Sequence, residues 1–309
     1  MSWHSALWHG PLGTWVELQV DTDDDAVVDR AETTVLTEID RLTAICSQHD
    51  PGSELSRWRR GEAVGESVEM VALLELAERW YHRSNGLFHP ALGKLRARWC
   101  AAEHSGVPPA REELAELAAT TTLPFTVTDG RVERTGDCTG VDLYALSKGW
   151  VVDRAAAAVL AQPGVRAVVL NAGGDLVHRG AGQTLVALED PAQPFDNAPP
   201  VAVVAVSEAA LATSGAARRG FIVGDAWYGH VLDPWTGWPI ASDAQVSVLA
   251  ADAVTADVAA TIIGVGGIAS APAGVEWLVA TDRGHHASPG WPIPSPGTES
   301  TQDSHSSDF

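Results

Sequence analysis

Positive charge, cysteine and unbroken apolar runs are what this chain has least of. Its 309 residues carry 20 Lys and Arg against 40 Asp and Glu, a formal charge of −20. A phosphate-backbone binder needs a clustered basic surface, and so acidic a field repels nucleic acid over most of the protein's face. Nucleic acid is therefore not an expected partner. The three cysteines, Cys46, Cys100 and Cys138, are odd in number, far apart and without a CxxC spacing. That argues against a disulfide framework and for a reducing compartment. No Lys or Arg precedes Arg30, so the opening lacks the basic start of an export signal. The most apolar stretch, 256–273, is interrupted by Asp257 and by glycines, which leaves it too broken to span a bilayer. The expectation is a soluble cytoplasmic protein with no membrane association.

What is present points to a folded enzyme-sized domain. Hydrophobic residues make up 45% of the chain, enough for a full core and against global disorder through about residue 283. Lysine is so rare, with Lys94 and Lys148 as its only instances, that each one invites the question of what it does. Residues 13–20 alternate like a half-buried strand. The acidic run DTDDD opens a helical pattern through Ala26–Cys46, with Val28, Val35, Ile39 and Leu42 on one face. Residues 47–57 read as loop. A second helix runs from about Ser67 to Arg83 and stops at Asn85-Gly86. Helical segments follow near 90–101 and 110–119, and 125–134 reads as a hairpin with an Asp-Gly turn.

The second half differs in texture. A helix is predicted over Lys148–Gln162, a buried strand over 165–171 and a tight turn at 172–175. Short strands run from 184 to about 250, a helix opens near Val254 and a last strand lies near 276–281. Residues 284–309, rich in Ser, Pro, Gly and His, read as a disordered tail. The fold class is mixed α/β (α+β): one domain over 1–283, its helix-rich first half packed on a strand-rich second half.

Four segments carry candidate chemistry. In GVDLYALSKGWVVDRAA (140–156) a carboxylate precedes Lys148-Gly149, which the pattern sets at a helix N-terminus, a natural place for phosphate. Asp153 there reads as a first-turn charge. LNAGGD (170–175) ends a strand in two glycines and an acid, and a bare turn of this kind is more often structural than functional. ALATSGAARRG (210–220) is followed by WYGHVLDPWTGWPI (227–240), where His230 beside Asp233 in a Pro/Gly-rich loop is a candidate acid–base group. In DAVTADVAATIIGVGG (252–267), Asp257 and Thr261 share one helix face, oxygen donors suited to a hard cation such as Mg²⁺. The bland alternative is a helix cap and a core-facing hydroxyl.

Taken in order, these segments resemble the ApbE family of flavin transferases. The resemblance starts at Leu12-Gly13-Thr14 and runs through SQHDPGSELSR, SNGLFHPALGKL, VDLYALSKGW, NAGGDL, ATSG and GHVLDPWTG to ADVAATIIGVGG, roughly residues 11–282. It implies an ApbE-like fold and Mg²⁺-dependent cleavage of FAD. FMN would then be attached through its phosphate to a Thr or Ser of an acceptor flavoprotein, with release of AMP. The alternatives are an FAD pyrophosphatase and a non-catalytic FAD-binding protein. By position, the resemblance implies that Asp142 and Lys148 contact the flavin nucleotide. It also makes Asp257, Thr261 and the Ala145 carbonyl metal ligands, His230 the catalytic base and Leu232 a neighbouring flavin contact. Leu87, Phe88 and His89 match a flavin-binding turn, His89 standing where an aspartate is usual. His49 stands where an aromatic Tyr is common, and Leu12 where Met is common. Tyr144 and Leu146 fill positions that are commonly Gly or Ile.

Overall fold

The structure, a computed structural model, describes residues 2–193, 197–216, 219–240 and 244–292. It opens with strands β1 (Trp3–His9) and β2 (Trp15–Asp21), an antiparallel pair joined through a turn at Pro11–Gly13. In β2, Val16, Leu18 and Val20 point inward in alternation. Helix α1 (Asp25–Cys46) is capped by Asp24, which accepts from the Ala26 N–H. It buries Val27, Ala31, Val35, Ile39 and Leu42 along one stripe. Helices α2 (Glu54–Arg59), α3 (Val68–Arg83), α4 (Gly93–Ser105) and α5 (Arg111–Thr120) follow, then the hairpin β3 (Phe125–Thr128) and β4 (Arg131–Arg134).

The second half starts with α6 (Tyr144–Leu160), β5 (Ala167–Ala172) and β6 (Asp175–Gly180), then the hairpin β7 (Thr184–Leu188) and β8 (Ala202–Val206). Next come β9 (Ala209–Gly215), the hairpin β10 (Gly220–Val223) and β11 (Ala226–Gly229), and β12 (Ala244–Ala250). Helix α7 (Ala253–Gly266) and strands β13 (Glu276–Thr281) and β14 (Gly284–Ala287) complete it. Among the described residues, eight strands form one antiparallel sheet in the order β1-β2-β5-β6-β9-β12-β13-β14. Helices α6 and α7 lie against each other and on the middle strands, with α1 beside α6. A smaller apolar core, including Leu188, Val204 and Val206 of the β7–β8 hairpin, covers the other face. β5 is thus buried on both sides, Val168 and Leu170 toward the helices and Val169 away from them, which is why its sequence is a continuous apolar run.

A third apolar cluster joins α4, α5 and the β10–β11 hairpin around Trp99. The Trp99 ring lies 4.8 Å from Tyr228 and 5.0 Å from Trp238, and its Nε1 donates to the Gly237 carbonyl at 2.9 Å. This cluster holds the loop that carries His230. All three cysteines are free, and burial pushes the Cys46 thiol up to about 12. Among the described residues, no helix is long and apolar enough to cross a membrane.

Three expectations are corrected. Residues 54–59, expected as loop, form α2, because Ser53 caps the turn and Trp58 is buried beneath it. Helix α6 begins at Tyr144 rather than Lys148, so Lys148 lies in its second turn and not among the free N–H groups. The chain also folds past residue 283: β14 pairs with β13 and Trp291 is buried. Residues 293–309 of the expected tail lie outside the described residues.

Candidate functional site

The helical elements and strand ends converge on a cavity of about 690 Å³, within the range of small-molecule sites. Its floor is built from α6, α7 and the turn between β5 and β6. That turn needs glycine, since Gly173 has φ +55° and a Cβ there would meet Thr14 Oγ1 at 2.4 Å. Asn171 Oδ1 accepts from Gly174 N at 3.1 Å, and the chain re-enters the sheet at Asp175. The α6–α7 crossing is equally close: a Cβ on Gly149 would lie 2.7 Å from the Ala253 carbonyl oxygen.

Two carboxylates share this floor. Asp175 is buried and Asp257 half-buried, and Lys148 Nζ lies 2.8 Å from Asp175 Oδ2. That contact is not aligned as a hydrogen bond, so Asp175 Oδ2 stays without a hydrogen-bond partner. Burial first, and then the charge of Asp175, push the Asp257 carboxyl well above the usual range; burial raises Asp175 as well. Burial works against the Lys148 ammonium, but Asp175 and Asp257 outweigh it and raise its pKa. Lys148 and Arg219 both act against the rise of the two carboxyls, favouring the ionised carboxylates. Asp257 is no helix cap: Asp252 fills that role, accepting from Thr255 N at 2.7 Å. Thr261 lines the cavity one turn beyond Asp257, and Ala145 lines it from the first turn of α6.

His230 closes the other wall. Its Nδ1 lies 3.1 Å from the Arg219 carbonyl oxygen. A carbonyl can only accept, so Nδ1 carries the proton and Nε2 keeps its lone pair. Desolvation lowers the ring's pKa to about 4, and Arg96, Arg219 and Lys148 add to the effect. Asp233, expected as its neighbour, instead accepts from Trp235 N at 2.8 Å and shapes the following turn.

The remaining candidates divide. Leu87, Phe88, His89, Asp142 and Leu232 line the cavity. Asp142 accepts from Arg96 Nε at 2.8 Å. His89 accepts from Ala91 N at 3.2 Å and packs edge-on against Tyr81. Leu12 and His49 do not line it. Leu12 sits in the turn before β2 at φ +55°, and His49 lies exposed in the loop after α1. Sequence reasoning passed over Arg96 and Arg219 and read the turn that ends in Asp175 as structural. Only Asp175 left a signal, as the acid closing the GGD turn.

Oxygen donors dominate the floor, and among the described residues no group of three or more His, Cys, Asp or Glu forms a metal cluster. This set suits a hard cation that accepts carboxylate, hydroxyl and carbonyl oxygens. The sequence model of the ApbE family matches residues 12–282. The chain belongs to the ApbE family. It is 34% identical over 230 residues to the FAD:protein FMN transferase of Rhodobacter capsulatus, covering 70% of this chain but 43% of that protein. With the FAD:protein FMN transferase of Vibrio cholerae it shares 30% identity over 243 residues, 74% of this chain and 72% of the relative. The crystal structure of the ApbE protein from Thermotoga maritima superposes with a TM-score of 0.80 at 25% identity, covering 93% and 97% of the two chains. That agreement includes the mixed α+β architecture and its large antiparallel sheet.

Proposed function

We propose that this chain transfers FMN from FAD to a Thr or Ser hydroxyl of an acceptor flavoprotein, releasing AMP. The observation that carries the reading is the single cavity in which Lys148, the Asp175–Asp257 pair and a neutral His230 face one another. The acceptor hydroxyl attacks the phosphorus on the riboflavin side of the FAD pyrophosphate. A P–O bond to the acceptor forms, the bridging P–O bond breaks, and AMP departs. His230 Nε2 takes the hydroxyl proton. Lys148, Arg96 and Arg219 neutralise the diphosphate, and their pull on the His230 ring weakens once that anion is bound.

Asp257 and Thr261, with the Ala145 carbonyl, would hold Mg²⁺. The fit rests on a cavity floor of carboxylate, hydroxyl and carbonyl oxygens in which a buried Asp175 oxygen has no hydrogen-bond partner. When bound, the cation supplies charge neutralisation at the pyrophosphate. Leu87, Phe88, His89, Asp142 and Leu232 form the wall against which the flavin nucleotide packs.

The test is incubation with FAD and Mg²⁺, with or without EDTA and a candidate acceptor, following FMN and AMP by chromatography. AMP released only with both Mg²⁺ and acceptor is the expected result. Release without acceptor makes the protein a pyrophosphatase, and FAD bound but never cleaved makes it a binding protein.

A further inference from the structure

Each element that lends a polar group to the cavity floor is tied a second time, four or five residues further along or back. Asp153 of α6 accepts from Ala253 N at 3.0 and 2.9 Å through its two oxygens, and from Val254 N at 3.3 Å. Arg179 of β6 donates to the Ala251 carbonyl at 2.8 Å, and its Nη2 lies 3.4 Å from Asp153 Oδ1. One knot therefore joins α6, β6 and the start of α7. The five residues from Lys148 to Asp153 span about 7.5 Å of helix, and the four from Ala253 to Asp257 about 6 Å. Asp175 and Arg179 are separated by about 13 Å of strand.

Capping explains why the Ala253 and Val254 N–H groups need an acceptor, but not why a carboxylate from another helix, itself held by Arg179, supplies it. Asp252 already serves the Thr255 N–H, and burying a second carboxylate is costly: desolvation pushes Asp153 up to about 6 despite its hydrogen bonds. What Asp153 adds is a fixed distance between two helices that meet over Gly149 without a side chain between them. Arg179 extends the same constraint to the strand that begins at Asp175.

We propose that the Asp153–Arg179 knot is a positioning device, setting where α7 starts relative to α6 and β6 and so the spacing of Asp257 and Thr261 from Lys148. The inference rests on the reading of Asp257 and Thr261 as cation ligands. A hard cation tolerates little error in ligand placement, so loosening the knot weakens cation binding before it touches the chemical step.

The experiment titrates Mn²⁺, as a probe for Mg²⁺, into the full-length protein and reads the free ion by electron paramagnetic resonance. Melting temperature and the Mg²⁺ dependence of AMP release are measured alongside. Asp153→Ala is expected to weaken Mn²⁺ binding and raise the Mg²⁺ midpoint about tenfold or more, with kcat at saturating Mg²⁺ within about threefold of the parent. Asp153→Asn keeps an acceptor for the Ala253 N–H and restores most of the affinity. Arg179→Gln, which leaves that acceptor in place, shifts the midpoint less than Asp153→Ala. Unchanged Mn²⁺ binding in both Asp153→Ala and Arg179→Gln, with only the melting temperature lowered, overturns the inference. Should Asp153→Ala fail to fold, Arg179→Gln decides, since a merely structural knot leaves its midpoint where the parent's is. Absence of Mn²⁺ binding in the parent protein overturns the cation assignment, and this inference with it.

Discussion

The two ends of the α6–α7 crossing meet acids in opposite circumstances. At the outer end Asp153 accepts from two backbone N–H groups and faces Arg179, so its lone pairs and its charge are both answered. At the cavity end Asp175 and Asp257 face each other beside Lys148 and Arg219, with one carboxylate oxygen left without a hydrogen bond. The first arrangement is complete without a ligand. The second leaves a buried acceptor open at a cavity floor, which sets a reactive pair apart from a structural one.

Substitution should split the two ends apart, and the largest effect belongs to Asp257. Asp257→Asn keeps the side chain's shape and removes a like charge beside Asp175, so its melting temperature without metal should be no lower than the parent's. Mg²⁺-dependent AMP release should fall on the order of 10³-fold, the several kcal/mol that a charge-neutralising ion supplies. A variant that keeps full Mg²⁺-dependent turnover would place the cation elsewhere.

His230→Ala should cost less, roughly 10²-fold in transfer rate with FAD affinity nearly kept, because a ring with a pKa of about 4 is a weak proton acceptor. Its pH signature is specific. The folded protein leaves this ring neutral between pH 4 and 6.5 while the unfolded chain binds a proton there, so the ring's contribution makes stability rise with pH through that window. The contribution is full above pH 6.5 and is lost as pH falls toward 4. Urea unfolding at pH 5 and pH 7 should show a smaller pH difference in His230→Gln than in the parent. In kcat/KM, protonation of this ring should not appear above about pH 5.

Gly149→Ala is the milder break, because its Cβ would meet the Ala253 carbonyl at 2.7 Å and force the two helices apart. A loss of about 1–3 kcal/mol in urea unfolding is expected.

How much of this was legible follows where capping and patterning left marks. The starts of α1, α3 and α7 are written in Asp24, Ser67 and Asp252, each with a side chain accepting a helix N–H. Helix α6 starts after Leu143, which has no capping side chain, and nothing in VDLYALS marks the boundary. The residues 284–287 look like tail because they are polar and histidine-rich; their strand is set by pairing with β13. Asp257 and Thr261 were readable from helical spacing. Their meeting with Asp175 was not, because it depends on a sheet register that brings β6 beneath two helices. Distance in the chain hides such a group: Lys148, Asp175 and Asp257 become neighbours only through α6, β6 and α7.

The smallest effect should fall on the residues that separate from the cavity. His49 lies exposed between α1 and α2, and its backbone N–H is taken by Ser47 Oγ at 3.2 Å. Its side chain lines no part of the cavity. If the loop holds this position when the nucleotide binds, His49→Ala should change FAD affinity by no more than about twofold, as for a surface substitution worth about 0.5 kcal/mol. Fluorescence quenching of FAD measures that directly. A loss near that of Leu87→Ala would mean that the loop swings inward on binding. His49 would then belong to the flavin wall, and the cavity-end pair would be answered by a site that closes from both halves of the chain.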